Sequence, residues 1–123
     1  AGLREASAQT NTLQGAEAKY LLADIYFRKQ NLATAEKEIM DFIDKGTSHQ
    51  YWLAKSFILL SDIYVAKKDD FQAKHTLKSL IENYPVKEDG ILAEAGRKLS
   101  AIEEREKRDA DATQGNPLEI KLN

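Results

Sequence analysis

Two short stretches decide how this chain is read: Leu22-Ala23-Asp24-Ile25-Tyr26 and Leu60-Ser61-Asp62-Ile63-Tyr64. They lie 60 − 22 = 38 residues apart, and the offset persists beyond them, with Ala35 falling on Ala73, Lys37 on His75 and Ile39 on Leu77. A register kept over that length marks an internal repeat, which constrains architecture more than any single element does. Within each unit the apolar spacing is helical. Ala18, Leu22, Ile25 and Tyr26 form one stripe of three- and four-residue steps, and Leu32, Ala35, Ile39 and Phe42-Ile43 form a second. In the next unit Phe57, Leu60, Ile63 and Tyr64 are followed by Phe71, Leu77, Leu80 and Ile81. Gln30-Asn31 and Asp69-Asp70 break the pairs, and Asn31 and Asp70 are the residues expected to cap the helices that follow. Gly46 ends the first hairpin and Tyr84-Pro85 the second, because proline cannot continue a helix. Each helix is then about 14–20 residues, or roughly 20–30 Å.

Outward from this pair of hairpins, a fifth helix is expected from about Gly90 to Arg108, with Leu92, Ala95-Gly96, Leu99 and Ile102 as its apolar edge. Its last part, Glu103 to Arg108, has nothing to bury and should be solvated, held by pairs three and four residues apart. Residues 109–123 read as a flexible tail in which Leu118, Ile120 and Leu122 alternate with polar residues. That pattern fits a segment that adds to a partner's sheet edge or lies in a groove, including one on another copy. Residues 1–13 read as the end of a preceding helix or a flexible lead. The resulting division is 14–46 for the first hairpin, 47–85 for the second and 86–108 for the closing helix.

Composition excludes several classes. At 123 residues the chain has room for one continuous core. Apolar residues at 42% and charged residues at 31% are the balance of a helix-rich globular domain. A formal net charge of −2, without a concentrated basic patch, argues against nucleic-acid binding. No window approaches the roughly 18 apolar residues of a membrane span; Phe57-Ile58-Leu59-Leu60 is interrupted by Lys55, Ser56, Ser61 and Asp62. With no cysteine, disulfides and thiolate metal sites are excluded. His49 and His75 lack the helical spacing of a metal pair, so no metal or cofactor is expected. Because the chain opens Ala1-Gly2 and its one methionine is Met40, it reads as the C-terminal part of a longer protein.

These residues resemble the tetratricopeptide repeat family, in which large apolar, small and aromatic residues recur at fixed spacing. The first unit supplies Leu22-Ala23, Tyr26, Ala35 and Ile39; the second supplies Phe57, Leu60-Ser61, Tyr64, Ala73, Leu77 and Pro85. The likeness covers roughly residues 16–85, with 86–108 as a solvating cap helix. It implies an all-α, right-handed superhelix of two hairpins plus a C-terminal capping helix. Three departures stand out: Gln30 and Lys68 replace turn glycines, the unit has 38 residues rather than about 34, and Lys19 stands where a large aromatic is usual. The phrasing "AEAKYLLADIYF…LIENYP" is also similar to bacterial cell-envelope repeat proteins, such as the periplasmic partner of Tol–Pal and the outer-membrane assembly lipoproteins. That likeness implies a periplasmic or envelope setting.

The resemblance further implies that the first helix of each hairpin lines a concave ligand groove. Carried over residue by residue, the groove comprises Glu17, Tyr20, Asp24, Phe27 and Arg28 from the first unit, and Lys55, Ile58, Asp62 and Val65 from the second. Tyr20, Phe27, Ile58 and Val65 would form an apolar strip flanked by charge, suited to an amphipathic helix or extended peptide. A neighbouring repeat or the fifth helix could equally cover it. The clamp by which some relatives hold a C-terminal carboxylate would need cations where Tyr20, Asp24, Ile58 and Asp62 stand, so basic or apolar ligands fit better. Asp24 and Asp62 could in principle serve as an acid–base pair, but no nucleophile or cofactor loop converges with them. Trp52 reads as the apolar start of the third helix. The leading expectation is a protein-binding scaffold rather than an enzyme, with protein or peptide partners and self-association through an open N-terminal face or the tail. The alternative is an architectural cap of a longer solenoid.

Overall fold

The computed structural model describes residues 2–114, and every regular element among them is helical. The order is α1 (Leu3–Ser7), α2 (Leu13–Arg28), α3 (Leu32–Lys45), α4 (Gln50–Ala66), α5 (Asp70–Asn83) and α6 (Ile91–Gln114). Helices α2 and α3 make one hairpin, and α4 and α5 the next. Helix α4 packs on both helices of the first hairpin, while α6 lies against α5 and α4. The arrangement is an all-α helical repeat closed by a final helix. The alternation of Leu118, Ile120 and Leu122 falls outside the described residues.

Two apolar clusters carry the packing. Between the hairpins, Ala23, Ala35 and Ile39 meet Leu59, Leu60 and Ile63, all nearly inaccessible to water. Beyond them, Ile58, Ala73, Leu77 and Leu80 are closed off by Ile91, Ala95 and Ile102 of α6. Ile25, placed in the first stripe, is 38% exposed, whereas its repeat equivalent Ile63 is fully buried. The reason is positional: Ile63 has a hairpin in front of it, and Ile25 does not. At the same offset Leu3–Ser7 falls on residues 41–45 (3 + 38 and 7 + 38), the last turn of α3. Helix α1 therefore stands in register with the end of a second helix.

The turns explain how hairpins form without glycine. Gln30 and Lys68 adopt left-handed backbone, with φ of 64° and 66°. In the first turn the Gln30 and Asn31 N–H groups donate to the carbonyls of Phe27 and Tyr26; Lys68 and Asp69 donate in the same way to Val65 and Tyr64. These are Schellman closures, and the residue that ends each one also caps the next helix. Asn31 does so through its side-chain oxygen, which accepts from Thr34 N–H. In the second turn the cap is Asp69, accepting from Gln72 N–H, rather than the expected Asp70. Asp70 is the first helical residue, and its carboxylate takes both Arg105 guanidinium nitrogens at 2.7 and 2.8 Å.

Other expectations need correcting. Phe71 is 75% exposed rather than part of a core stripe, because it falls one position off the Ala73–Leu77–Leu80 face. Helix α6 runs on to Gln114 instead of stopping near Arg108, so residues 109–114 are helical and not flexible tail. Arg105–Asp70 and Lys74–Glu106 ion pairs tie its charged part to α5. Its start is fixed by Asp89, whose carboxylate accepts from Ile91 N–H and from the Tyr84 hydroxyl.

Two substitutions test this reading. A left-handed conformation costs a non-glycine residue about 1–2 kcal/mol, partly offset by the entropy glycine loses on folding. Lys68→Gly is therefore expected to stabilise the chain by about 1 kcal/mol in urea unfolding. Gly15→Ala should act in the opposite sense. A Cβ there would lie 1.7 Å from the Gln9 carbonyl oxygen and 2.9 Å from that of Ala6. Helix propensity alone predicts a gain of about 1 kcal/mol. We expect instead a loss, with faster hydrogen exchange at Gln9 and Thr12; a gain would mean that the lead segment does not dock on α2.

Candidate functional site

Helices α2 and α4 lie side by side, and their steps of three and four residues aim Tyr20, Asp24, Phe27 and Arg28 toward Lys55, Ile58 and Asp62. With Leu59 and two residues of α6, Glu94 and Lys98, these line a hollow of about 430 Å³. Seven of the nine groove residues expected from sequence are thus brought together. Glu17 is exposed outside the hollow, and Val65 packs against the α6 core. Ile58 borders the hollow yet is only 3% exposed, since the same side chain belongs to the core under α6. The apolar strip is consequently shorter than expected and centres on Tyr20 and Phe27.

Every charge lining the hollow has a partner of opposite sign. Arg28 Nε donates to Asp24 at 2.8 Å, and Lys98 Nζ to both oxygens of Asp62 at 2.9 and 2.7 Å. Lys55 reaches Glu94 at 3.5 Å and lies 5.7 Å from the centre of the Tyr20 ring. Trp52 is half-buried with its ring 5.6 Å from that of Tyr20, so it props the groove wall as well as opening α4. Three acids against three bases give a formal balance of zero. Burial, followed by the charges of Asp24 and Glu94, pushes the Tyr20 hydroxyl up to about 12. Burial likewise pushes the Asp62 carboxyl above its ordinary value, and Lys98 only partly counters this. The α6 residues were missed because their opposition to Lys55 and Asp62 depends on how α6 crosses the hairpin.

A second group of charges surrounds Lys19, which the sequence offered only as a departure from the repeat pattern. Lys19 is 3% exposed, and its Nζ donates to Glu38 at 2.7 Å and Asp41 at 2.6 Å. Arg4 of α1 also reaches Glu38, at 3.2 Å, and Lys45 reaches Asp41 at the same distance. Although burial tends to raise it, Glu38 is held below the ordinary glutamate value by its bonds from Lys19 and Arg4. Asp41 is lowered mainly by Lys19. At the 38-residue offset the corresponding places in the second hairpin hold Phe57, Thr76, Ser79 and Asn83, which border an apolar hollow of about 400 Å³.

Residues 50–85, comprising α4, α5 and the turn to Pro85, match the tetratricopeptide repeat family. The match supports the reading of this hairpin as a unit similar to those of that family, whose members serve mainly as protein-binding scaffolds. No curated protein and no solved structure matches the chain.

The buried ionic cluster yields a pH test. Carboxylates with lowered values contribute stability that is fully present above their ordinary range and lost as pH falls through the lowered values. The native chain should therefore weaken toward pH 3. Lys19→Met leaves the largely buried Glu38 with the exposed Arg4 as its partner and is expected to cost about 3 kcal/mol at neutral pH. Without Lys19 the Glu38 carboxyl takes up its proton at higher pH, so the penalty should shrink on acidification. Urea midpoints of the two chains should converge as pH falls; parallel curves would show that the ion pair carries no net coupling.

Proposed function

We propose that the chain is a protein–protein interaction scaffold that takes a peptide carrying apolar and basic side chains into the hollow between α2 and α4. The carrying observation is Asp62, an incompletely compensated carboxylate beside the half-buried apolar surfaces of Tyr20 and Phe27. A ligand cation placed there would supply the missing compensation, and an apolar neighbour would cover the rings. The pairing of Asp24 with Arg28 and of Asp62 with Lys98 favours a structural over a catalytic use of the two aspartates. A setting in the bacterial cell envelope rests only on the likeness of the repeat phrasing to that branch. The capping reading also has an observation in its favour, since α6 buries Ile91, Ala95 and Ile102 and faces solvent with charge.

Capture from a lysate with an Asp24→Asn/Phe27→Lys chain, which removes apolar surface and acidic charge from the groove, tests it, using Phe71→Glu as a control at an exposed position outside it. Proteins held by the native chain and the control should be lost by the groove variant, with circular dichroism unchanged. Their binding should also weaken as pH falls through the raised value of Asp62, and Asp62→Asn should weaken it at neutral pH while flattening that dependence. Equal recovery by all three chains would leave α6 as a cap and place binding elsewhere.

A further inference from the structure

The apolar hollow of the second hairpin lies on the face of α4 opposite the proposed peptide groove. Leu53, Phe57, Leu80, Tyr84 and Pro85 supply its apolar lining, and its polar lining has no carboxylate, lysine or arginine. Exposed Tyr51 and Val86 adjoin two lining residues in sequence, Gln50 and Pro85, and extend the apolar surface. In the first hairpin the same repeat positions also border a hollow, of about 530 Å³, but there Lys19, Glu38, Asp41 and Lys45 line it with charge, so the uncharged lining is particular to the second hollow. It can accept apolar side chains without stripping water from a buried charge.

We propose that this hollow receives the segment Leu118-Glu119-Ile120-Lys121-Leu122 from a second copy of the chain, and that two copies exchange these segments reciprocally. The segment is the apolar part of the nine residues that follow α6 (123 − 114 = 9), and Glu119 and Lys121 cancel in charge. Alternation presents Leu118, Ile120 and Leu122 on one side of an extended chain, over roughly 13 Å. The hollow runs beside α4 from Gln50 to Phe57, roughly 10 Å of helix.

Reach selects the second copy over the chain's own tail. Helix α6 runs antiparallel to α5, with Arg105 at Asp70 and Glu103 at Lys78. Gln114 lies nine residues past Arg105, or roughly 14 Å farther along the axis, while Thr76 at the near edge of the hollow lies roughly 9 Å the other way. The four residues from Gln114 to Leu118 span at most roughly 14 Å. Moreover, Asp70, Lys74 and Lys78 face α6, whereas Thr76, Ser79 and Asn83 line the hollow on the far side of α5. A tail would have to pass around a helix about 10 Å thick to dock in its own chain. Reciprocal exchange with a two-fold related copy removes that constraint.

Sedimentation equilibrium of the full chain should show a concentration-dependent dimer. Ser79→Arg, at the half-buried edge of the hollow, and Ile120→Asp should each sediment as monomers with unchanged circular dichroism. Mixing these two variants should restore a heterodimer, weaker than the native dimer, because one intact tail then meets one intact hollow. Since the chain lacks cysteine, a Ser79→Cys chain mixed with an Ile120→Cys chain should oxidise to a cross-linked heterodimer. A native chain that stays monomeric at all concentrations would overturn the proposal and leave the hollow to a different partner. So would a dimer that survives both substitutions, or a Ser79→Cys/Ile120→Cys chain that closes its bridge within one molecule.

Discussion

Close approach of paired helices at alanine is the constraint on which the other features depend. Ala16, Ala35 and Ala73 are completely buried, and Ala23 and Ala54 are nearly so. Small side chains at these crossings bring helix axes toward the near end of the usual 8–10 Å range. Once the axes are that close, the links between them must be short and sharply turned. Hence the left-handed backbone at Gln30 and Lys68, and the double use of Asn31 and Asp69 as the end of one helix closure and the cap of the next. Ile39, Leu59, Leu60 and Ile63 lie between hairpins, where they set α4 against the first hairpin.

A repeat in sequence does not impose a repeat in environment. Ile25 and Ile63 occupy the same place in identical Asp-Ile-Tyr contexts, yet one is 38% exposed and the other is sealed. Lys19 and Phe57 are the inverse case, with different chemistry at one place. Lysine is tolerated in that buried position because Glu38 and Asp41 both reach it, and each is in turn shared with Arg4 or Lys45. Deleting one member of such a set costs far more than exchanging the whole set for apolar residues. The second hairpin has in effect made the exchange: Phe57, Thr76, Ser79 and Asn83 line its hollow without formal charge, where Lys19, Glu38, Asp41 and Lys45 line the hollow of the first.

Much of this was legible in the sequence. The helical steps around Leu22 and Leu60, the stop at Gly46 and the break at Tyr84-Pro85 placed four helices with little error, because local spacing and backbone chemistry are local properties. The tetratricopeptide match over residues 50–85 falls on the hairpin with the fuller pattern. What escaped depends on contacts distant in the chain. Asp70 and Asp69 are equally good caps by composition, and only the bidentate demand of Arg105, 35 residues away, assigns them different roles. The extension of α6 past Arg108 was likewise invisible, since nothing apolar marks residues 109–114. Glu94 and Lys98 could be recognised as a charged pair four apart, but not as a wall of the groove.

The two readings of the chain, scaffold and cap, meet in α6. One edge of that helix, Ile91, Ala95 and Ile102, closes the core of the second hairpin. Glu94 and Lys98 fall between those positions and turn toward α4, where they neutralise Lys55 and Asp62. A helix that only solubilised the end of the array would have no need to place a paired carboxylate and ammonium there. A groove without α6 would instead expose Asp62 and Asp24 with one cation, Arg28, close to them. The closing helix therefore sets the electrostatic character of the groove as it seals the fold. On the proposed scaffold reading, ligand preference and stability are coupled through the same few turns, so a substitution at Lys98 is expected to act on both.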